Sequence, residues 1–174
     1  HMEDVWVQPV LNQDNSSGKV SVIMKVTAPE KQNVDARFVL TDREGTVITE
    51  KCLQLQGRDG IFTGTIHTDV QNIKLWDNHS PYLYHACVEL IEENGVMLEV
   101  VPYDIGFRRL EVIDKVIYLN GKRLVITGVN RHEWNPKTGR CIGMQEMTAD
   151  IDCMLRNNIN AVRTCHYPDQ IPWY

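Results

Sequence analysis

The sequence lacks both the long apolar runs that cross membranes and the basic runs that bind nucleic acid. None of its apolar stretches approaches the ~20 residues of a membrane-spanning helix. It carries 18 Lys and Arg against 23 Asp and Glu, for a formal net charge of -5 at pH 7, with no segment rich in basic residues. We therefore expect neither a membrane nor a nucleic acid as a partner.

Cysteine spacings typical of metal or redox sites are also missing. The five cysteines are an odd number, and no two of them have C-x-x-C spacing: Cys52, Cys87, Cys141, Cys153 and Cys165. We expect no disulfide framework and no structural zinc site, and interpret the cysteines as free, mostly buried thiols. The sequence also contains no Ser/His/Asp order, phosphate-binding loop or dinucleotide fingerprint, which excludes several common enzyme classes.

The N-terminal part of the chain has the pattern of an antiparallel β domain. In residues 19–27 the apolar side chains Val20, Val22, Met24 and Val26 alternate with mostly polar ones, as in a half-buried strand. A second alternating set is Tyr84, Ala86, Val88 and Leu90. A hairpin-type turn is predicted at residues 92–95. About seven such strands without a helical period predict an immunoglobulin-like β-sandwich over residues 1–113, and a small antiparallel barrel remains the alternative.

The remainder, residues 114–174, has a different pattern. It opens with a predicted linker hairpin around Asn120-Gly121, the dipeptide most typical of two-residue turns. A strand at residues 125–129 and another at 160–163 flank a segment with helical periodicity. Its apolar stripe consists of Met147, Ile151, Met154, Leu155 and Ile159, which we expect to pack against a sheet. This order predicts a β-α-β unit, the building block of parallel sheets and barrels.

Polar residues follow both predicted parallel strands, where such folds place their chemistry. His132 and His166 each come just past a strand end. We therefore expect the two imidazoles to lie together at the same end of the sheet and to bind substrate hydroxyls. Arg163 ends the second strand and needs a carboxylate, either Asp150, Asp152 or Glu133, or a residue outside this chain. Metal binding is a competing interpretation of the histidines, and it requires a third ligand, for which Glu133 is the near candidate.

Several runs of this chain resemble glycoside hydrolase family 2, and within it the bacterial β-galactosidases. The most specific are residues 128–133 (GVNRHE) with Pro136, and residues 160–163 (NAVR) with His166-Tyr167-Pro168; the weaker ones are residues 75–76 (LW), 80–84 (SPYLY), 104–108 (DIGFR) and 119–122 (LNGK). The resemblance covers nearly the whole chain. It implies a mainly β fold: the immunoglobulin-like sandwich followed by the first β-α-β segment of a truncated (β/α)₈ barrel.

The resemblance also implies roles for individual residues. His132 and His166 match histidines that contact the galactosyl group, and Arg163 matches an arginine that orients the nucleophilic carboxylate. Asn130, Arg131 and Glu133 match signature residues of the barrel mouth. Two departures are visible: Trp134-Asn135 replaces a pair of histidines, and Cys165 stands where serine is common.

The implied parent protein is a retaining β-galactosidase, with a β-galactoside as its substrate. Family members use two glutamates, and neither matches a position here, so no catalytic residue is expected in this fragment and it is predicted to be inactive alone. No cofactor or metal site is expected, and any Mg²⁺ or Na⁺ used by the parent is expected to bind outside this chain. We expect self-association or disorder around residues 125–129 and 161–162. The alternatives are a β-glucuronidase, another family 2 glycosidase, or a non-catalytic sandwich module.

Overall fold

The computed structural model describes residues 1–29, 33–92 and 94–174, and these divide into two compact units, His1–Arg123 and Leu124–Tyr174. The strands of unit 1 are β1 Met2–Leu11, β2 Ser17–Thr27, β3 Asp35–Thr41, β4 Val47–Gln54, β5 Gln56–Arg58, β6 Ile61–Gln71, β7 Tyr84–Ile91, β8 Met97–Ile105, β9 Leu110–Ile113, β10 Val116–Leu119 and β11 Lys122–Arg123. Unit 2 contains β12 Gly128–Arg131, helix α1 Met144–Arg156, β13 Ala161–Thr164 and a 3₁₀ turn at Ile171–Trp173.

Unit 1 is built on two four-stranded antiparallel sheets. Their strand orders are β1-β2-β6-β5 and β4-β3-β7-β8. The first order corresponds to the A-B-E-D sheet of immunoglobulin-like domains, and the second contains the neighbouring C, F and G positions. The prediction of a sandwich is confirmed, and the alternative of a small barrel is wrong, because in the described parts of the chain no ladder joins the two sheets.

The core lies between these sheets and follows the alternation in the sequence. Val20, Val22, Met24 and Val26 of β2 are all at most 2% exposed. The set Tyr84, Ala86, Val88 and Leu90 of β7 is buried in the same way. Glu93, in the predicted turn between β7 and β8, lies outside the described residues. Period-two patterning was informative here because each strand has one face against the partner sheet and one face outward.

A three-stranded sheet, in the order β11-β10-β9, completes unit 1. Its hairpin turn is the predicted Asn120-Gly121, with φ of 52° and 78°, the positive values that such a turn needs. We predicted this hairpin as a linker belonging to residues 114–174, whereas the structure groups it with the sandwich. The physical reason is Asn120, whose amide nitrogen donates to the Trp76 carbonyl at 3.0 Å and whose side-chain oxygen accepts from the Arg109 N–H at 2.9 Å.

Unit 2 is the predicted β-α-β unit, although its first strand begins at Gly128 and not, as predicted, at Val125. β12 and β13 pair in parallel, with Gly128 opposite Ala161 and Arg131 opposite Thr164. The helix begins after Gly143, whose N–H donates to Glu146 Oε2 at 2.9 Å, and that hydrogen bond lowers the pKa of Glu146.

The expectation that the apolar stripe of α1 packs fully against a sheet is wrong in this chain. Met147 is buried, but Ile151 is 41% and Leu155 is 66% exposed, and Ile159 lies beyond the helix. Within the described residues the adjacent sheet has two strands, and a sheet of this width does not cover all of the apolar side chains of α1.

All five cysteines are free, as predicted, but their expected burial is wrong for three of them. Cys52, Cys141 and Cys153 are exposed, since they lie on outward faces or in a loop, whereas Cys165 is buried. Within the described ranges, no helix has the length and apolar character required to cross a membrane.

Candidate active site

Hydrogen bonds of the Asn160 side chain, at the beginning of β12 and β13, set the alignment of these strands. The Asn160 amide donates to the Val125 carbonyl at 2.8 Å, and its side-chain oxygen accepts from the Thr127 N–H at 2.9 Å. The backbone N–H of Asn160 in turn donates to the Thr127 carbonyl at 2.9 Å. Because the strands start in register and run parallel, their carboxyl ends finish side by side, and the residues that follow them converge.

His132 and His166 follow these two strand ends and lie next to each other. Their ring centroids are 5.6 Å apart with planes at 78°, and both side chains are exposed. The Tyr167 ring lies 6.0 Å from that of His132. The two histidines therefore present nitrogen atoms on one surface, the arrangement we expected from the strand ends. Their contact with a substrate stays a prediction.

Arg163 and Asn130 are paired in register and face the same side of the two-stranded sheet. We expected Arg163 to end a buried strand, but its side chain is exposed. In residues 1–29, 33–92 and 94–174, no carboxylate forms an ion pair with it, and its Nη1 lies 3.4 Å from Cys165 Sγ. The hypothesis of a structural pair with Asp150, Asp152 or Glu133 is therefore wrong. The guanidinium of Arg163 is available to bind another group.

Arg131 has a structural position behind the strand end. Its side chain is only 4% exposed, and it donates to Asp150 at 2.9 Å and to Asp169 at 2.8 Å. Its guanidinium also lies 3.8 Å from the Trp173 ring centroid. A buried guanidinium with two carboxylates and an aromatic face holds α1 and the segment after β13 against β12. This Arg131 cluster, Arg131 with Asp150, Asp169 and Trp173, is a brace for the site.

The side chain of Glu133 is also buried in unit 2. Its N–H donates to the Tyr167 hydroxyl at 3.1 Å, and its Oε1 accepts from the Gln170 N–H at 3.0 Å. Glu133 thereby ties the two loops that carry His132 and His166. It is not part of the group of metal-ligating side chains in this region, which is His132, Cys165 and His166.

A cleft of about 310 Å³ opens beside His132, lined by His132, Glu133, Trp134, Arg140 and Tyr167. Trp134 is 60% exposed, and the Arg140 guanidinium lies 5.6 Å from the Tyr167 ring centroid. Aromatic faces beside imidazole and guanidinium donors match the two sides of a sugar, since its C–H face packs on rings and its hydroxyls form hydrogen bonds.

Sequence reasoning missed two residues of this region, Cys165 and Asp169. Cys165 is 1% exposed, and its N–H donates to the Arg131 carbonyl at 2.8 Å, which continues the parallel pairing by one residue. Asp169 is the buried partner of Arg131. The one available signal for Cys165 was its position between the strand and His166, whereas nothing local indicates the pairing of Asp169 with a residue so distant in sequence.

Two family models match the chain in succession. The model described as "Glycosyl hydrolases family 2" matches residues 1–108, and the model described as "Glycosyl hydrolases family 2, TIM barrel domain" matches residues 110–174. Together they span both units. The first model alone covers more than half of the chain.

Curated proteins with similar sequences carry a consistent name. The β-galactosidase large subunit of Lactobacillus acidophilus is 46% identical over 175 residues, which are 100% of this chain and 27% of that protein. The β-galactosidase of Streptococcus thermophilus is 39% identical over 176 residues, 100% of this chain and 16% of that protein. The chain thus spans about a quarter or less of the length of these relatives.

Among solved structures, the β-glucuronidase of Ruminococcus gnavus superposes with a TM-score of 0.79 at 28% sequence identity. The superposition covers 99% of this chain and 27% of the other. It agrees with a sandwich followed by the first strands and helix of a (β/α)₈ barrel.

Proposed function

Because the chain belongs to glycoside hydrolase family 2, we propose that it is part of a retaining β-galactosidase that hydrolyses terminal β-D-galactosyl bonds. The observation that carries the proposal is the convergence of His132, His166 and Arg163 at the carboxyl ends of two parallel strands. That position is where barrel enzymes assemble their sites. The identity of 39–46% to β-galactosidases over the full length of this chain supports the choice of sugar.

The chemistry divides between this chain and the rest of the parent. In retaining glycosidases two carboxyl groups lie about 5–5.5 Å apart, one acting as acid and base and the other as nucleophile. We assign neither group to this chain. Its contribution is binding: each neutral imidazole has one nitrogen that donates and one that accepts, which suits sugar hydroxyls.

Arg163 supplies the second contribution. Its exposed guanidinium has no carboxylate partner in the described parts of the chain, and a guanidinium fork holds a carboxylate in a defined plane. In the parent it orients the nucleophile and keeps it ionised. Asn130, beside it in register, faces the same space. We assign no cofactor of the reaction to this chain, and Mg²⁺ or Na⁺ would be held by oxygen ligands elsewhere in the parent.

A β-glucuronidase is the second candidate, and one observation favours it. A glucuronide carries a carboxylate that needs a cation, and Arg140 places an exposed guanidinium in the cleft beside His132. The solved β-glucuronidase with 28% identity has the same fold over this region. A non-catalytic sandwich module has less support, since it gives no reason for His132, Arg163 and His166 to converge.

The two activities are separated by kinetics of the complete protein encoded by the source gene. We expect kcat/KM for 4-nitrophenyl β-D-galactoside to exceed that for the β-D-glucuronide by at least about 10²-fold, a ratio available from matched polar contacts. Arg140→Gln is then expected to leave galactoside turnover within a few-fold, because the glutamine amide still donates to a neutral hydroxyl and only the positive charge is lost. Preferred hydrolysis of the glucuronide, with loss of that preference in Arg140→Gln, would establish the second candidate instead.

We also propose that the isolated chain self-associates through unit 2. Val125 is 62% and Ile126 is 55% exposed in the segment that precedes β12, and Val162 of β13 is 36% exposed, so large apolar side chains of this region reach the surface of unit 2. Sedimentation velocity is expected to show a concentration-dependent rise in mass. A constant monomer mass over a hundredfold range of concentration would refute this part of the proposal.

A further inference from the structure

We propose that His132, Cys165 and His166 form a binding site for a thiophilic metal ion, with Zn²⁺ as the representative case. One ligand atom from each residue, two imidazole nitrogens and one sulfur, lies within 4.8 Å of the other two. All three residues belong to unit 2, on the two segments that follow β12 and β13. No other group of three such side chains occurs within residues 1–29, 33–92 and 94–174.

The spacing is close to that of a bound site. Zn–S bonds of about 2.3 Å and Zn–N bonds of about 2.0–2.1 Å place tetrahedral ligands roughly 3.3–3.6 Å apart. The three atoms therefore need to approach by about 1 Å or slightly more, a displacement within reach of small side-chain rotations. Both histidines are exposed and so are able to make this adjustment, while the third ligand is fixed.

Cys165 is the fixed ligand. Its side chain is buried, and its backbone N–H donates to the Arg131 carbonyl at 2.8 Å. The thiol donates to the Arg163 carbonyl at 3.4 Å, and Arg163 Nη1 lies 3.4 Å from the sulfur. On metal binding the thiol loses its proton to solvent and a metal–sulfur bond forms. The resulting thiolate charge offsets the repulsion between the ion and the guanidinium.

The donor set also determines which ions fit. Two imidazoles and a thiolate suit Zn²⁺, Co²⁺ and Cu⁺, whereas Mg²⁺ and Na⁺ prefer oxygen. Three protein ligands leave a fourth position for water. This site goes beyond the proposed function and does not depend on it, because an ion binds here without sugar. An ion would occupy the imidazole nitrogens that the proposed function assigns to substrate hydroxyls.

The test is titration of the complete, fully reduced 174-residue chain with Co²⁺. A thiolate bound to Co²⁺ produces a sulfur-to-metal charge-transfer band in the near ultraviolet, and tetrahedral Co²⁺ adds visible bands. We expect both in the native sequence, with equimolar Zn²⁺ abolishing them by displacement. Cys165→Ser is expected to remove the charge-transfer band. Cys153→Ser, at an exposed cysteine on α1, is the matched control and is expected to retain it.

A second measurement covers the case in which Cys165→Ser does not fold. X-ray absorption of the native chain with one equivalent of Zn²⁺ is expected to show one sulfur and two imidazole nitrogens. His132→Gln, at an exposed side chain, is expected to weaken Co²⁺ binding at least tenfold, in the range expected for loss of a metal ligand or its support. Absence of the charge-transfer band in the native chain, or its survival in a folded Cys165→Ser variant, would overturn the proposal.

Discussion

Removal of the Asp169 carboxylate is expected to destabilise unit 2 far more than removal of any other acid in it. The Asp169 side chain is 0% exposed and its partner Arg131 is 4% exposed, so the substitution Asp169→Ala leaves a guanidinium buried with half of its carboxylate partners. Breaking a buried ion pair from one side costs about 3–5 kcal/mol. The remaining partner, Asp150, is 45% exposed and compensates weakly because solvent screens it.

The assay is hydrogen exchange followed by mass spectrometry on peptides from residues 124–174. At about 1.4 kcal/mol per factor of ten, the loss corresponds to exchange of β12 and β13 amides faster by roughly two to three and a half orders of magnitude. Peptides of unit 1 are expected to keep their native exchange rates. Their constancy serves as the internal control for a local effect.

Two further variants show how much carboxylates of α1 contribute to the stability of unit 2. Asp150→Ala removes a half-exposed partner of Arg131 and is expected to cost about 1 kcal/mol or less. Asp152→Ala removes an exposed acid of the same helix and is expected to change nothing measurable. If Asp169→Ala accelerated exchange by less than about fivefold, or no more than Asp152→Ala did, Arg131 would not brace the strand ends.

Three more predictions are measurable on the 174-residue chain. Asn120→Ala leaves the Trp76 carbonyl and the Arg109 N–H without partners, and we expect urea denaturation of unit 1 to show a loss of about 2 kcal/mol. The N–H of Ser16 and the N–H and hydroxyl of Ser17 lower the pKa of Asp14 to about 2, so its contribution to stability is complete above about pH 4 and is lost as pH falls through 2. NMR titration is expected to show this pKa rising in Ser17→Ala, and an unchanged value would contradict the assignment. The isolated chain is expected to show no turnover of an aryl β-galactoside, and measurable hydrolysis by the pure chain would place catalytic carboxylates within it.

The sandwich was predictable because its information is local. In β2, burial of Val20, Val22, Met24 and Val26 follows directly from alternation, since each strand has one face in the core. The Asn120-Gly121 turn was predictable for the same reason, although its attachment to unit 1 was not. That attachment depends on hydrogen bonds to Trp76 and Arg109, which no local pattern encodes.

The candidate site was predictable in outline and not in its polar partners. Parallel strands bring their carboxyl ends together, so the neighbourhood of His132 and His166 followed from chain order. The roles of Arg131 and Arg163 did not follow from chain order, because the two arginines stand at adjacent register positions and differ only in the side of the sheet that each faces. Arg131 faces Asp169, a pairing between residues far apart in sequence, whereas Arg163 faces open space.

The most direct test of the central claim is the kinetics of His166→Asn in the complete parent enzyme, with Asp152→Asn as the control. If His166 contacts the galactosyl group, kcat/KM for an aryl β-galactoside falls roughly hundredfold, as expected for loss of one hydrogen-bond partner in the transition state. The control substitution, at an exposed helix position, leaves it unchanged. A His166→Asn enzyme that keeps kcat/KM within about threefold of the native value would contradict the assignment of this strand end to the active site.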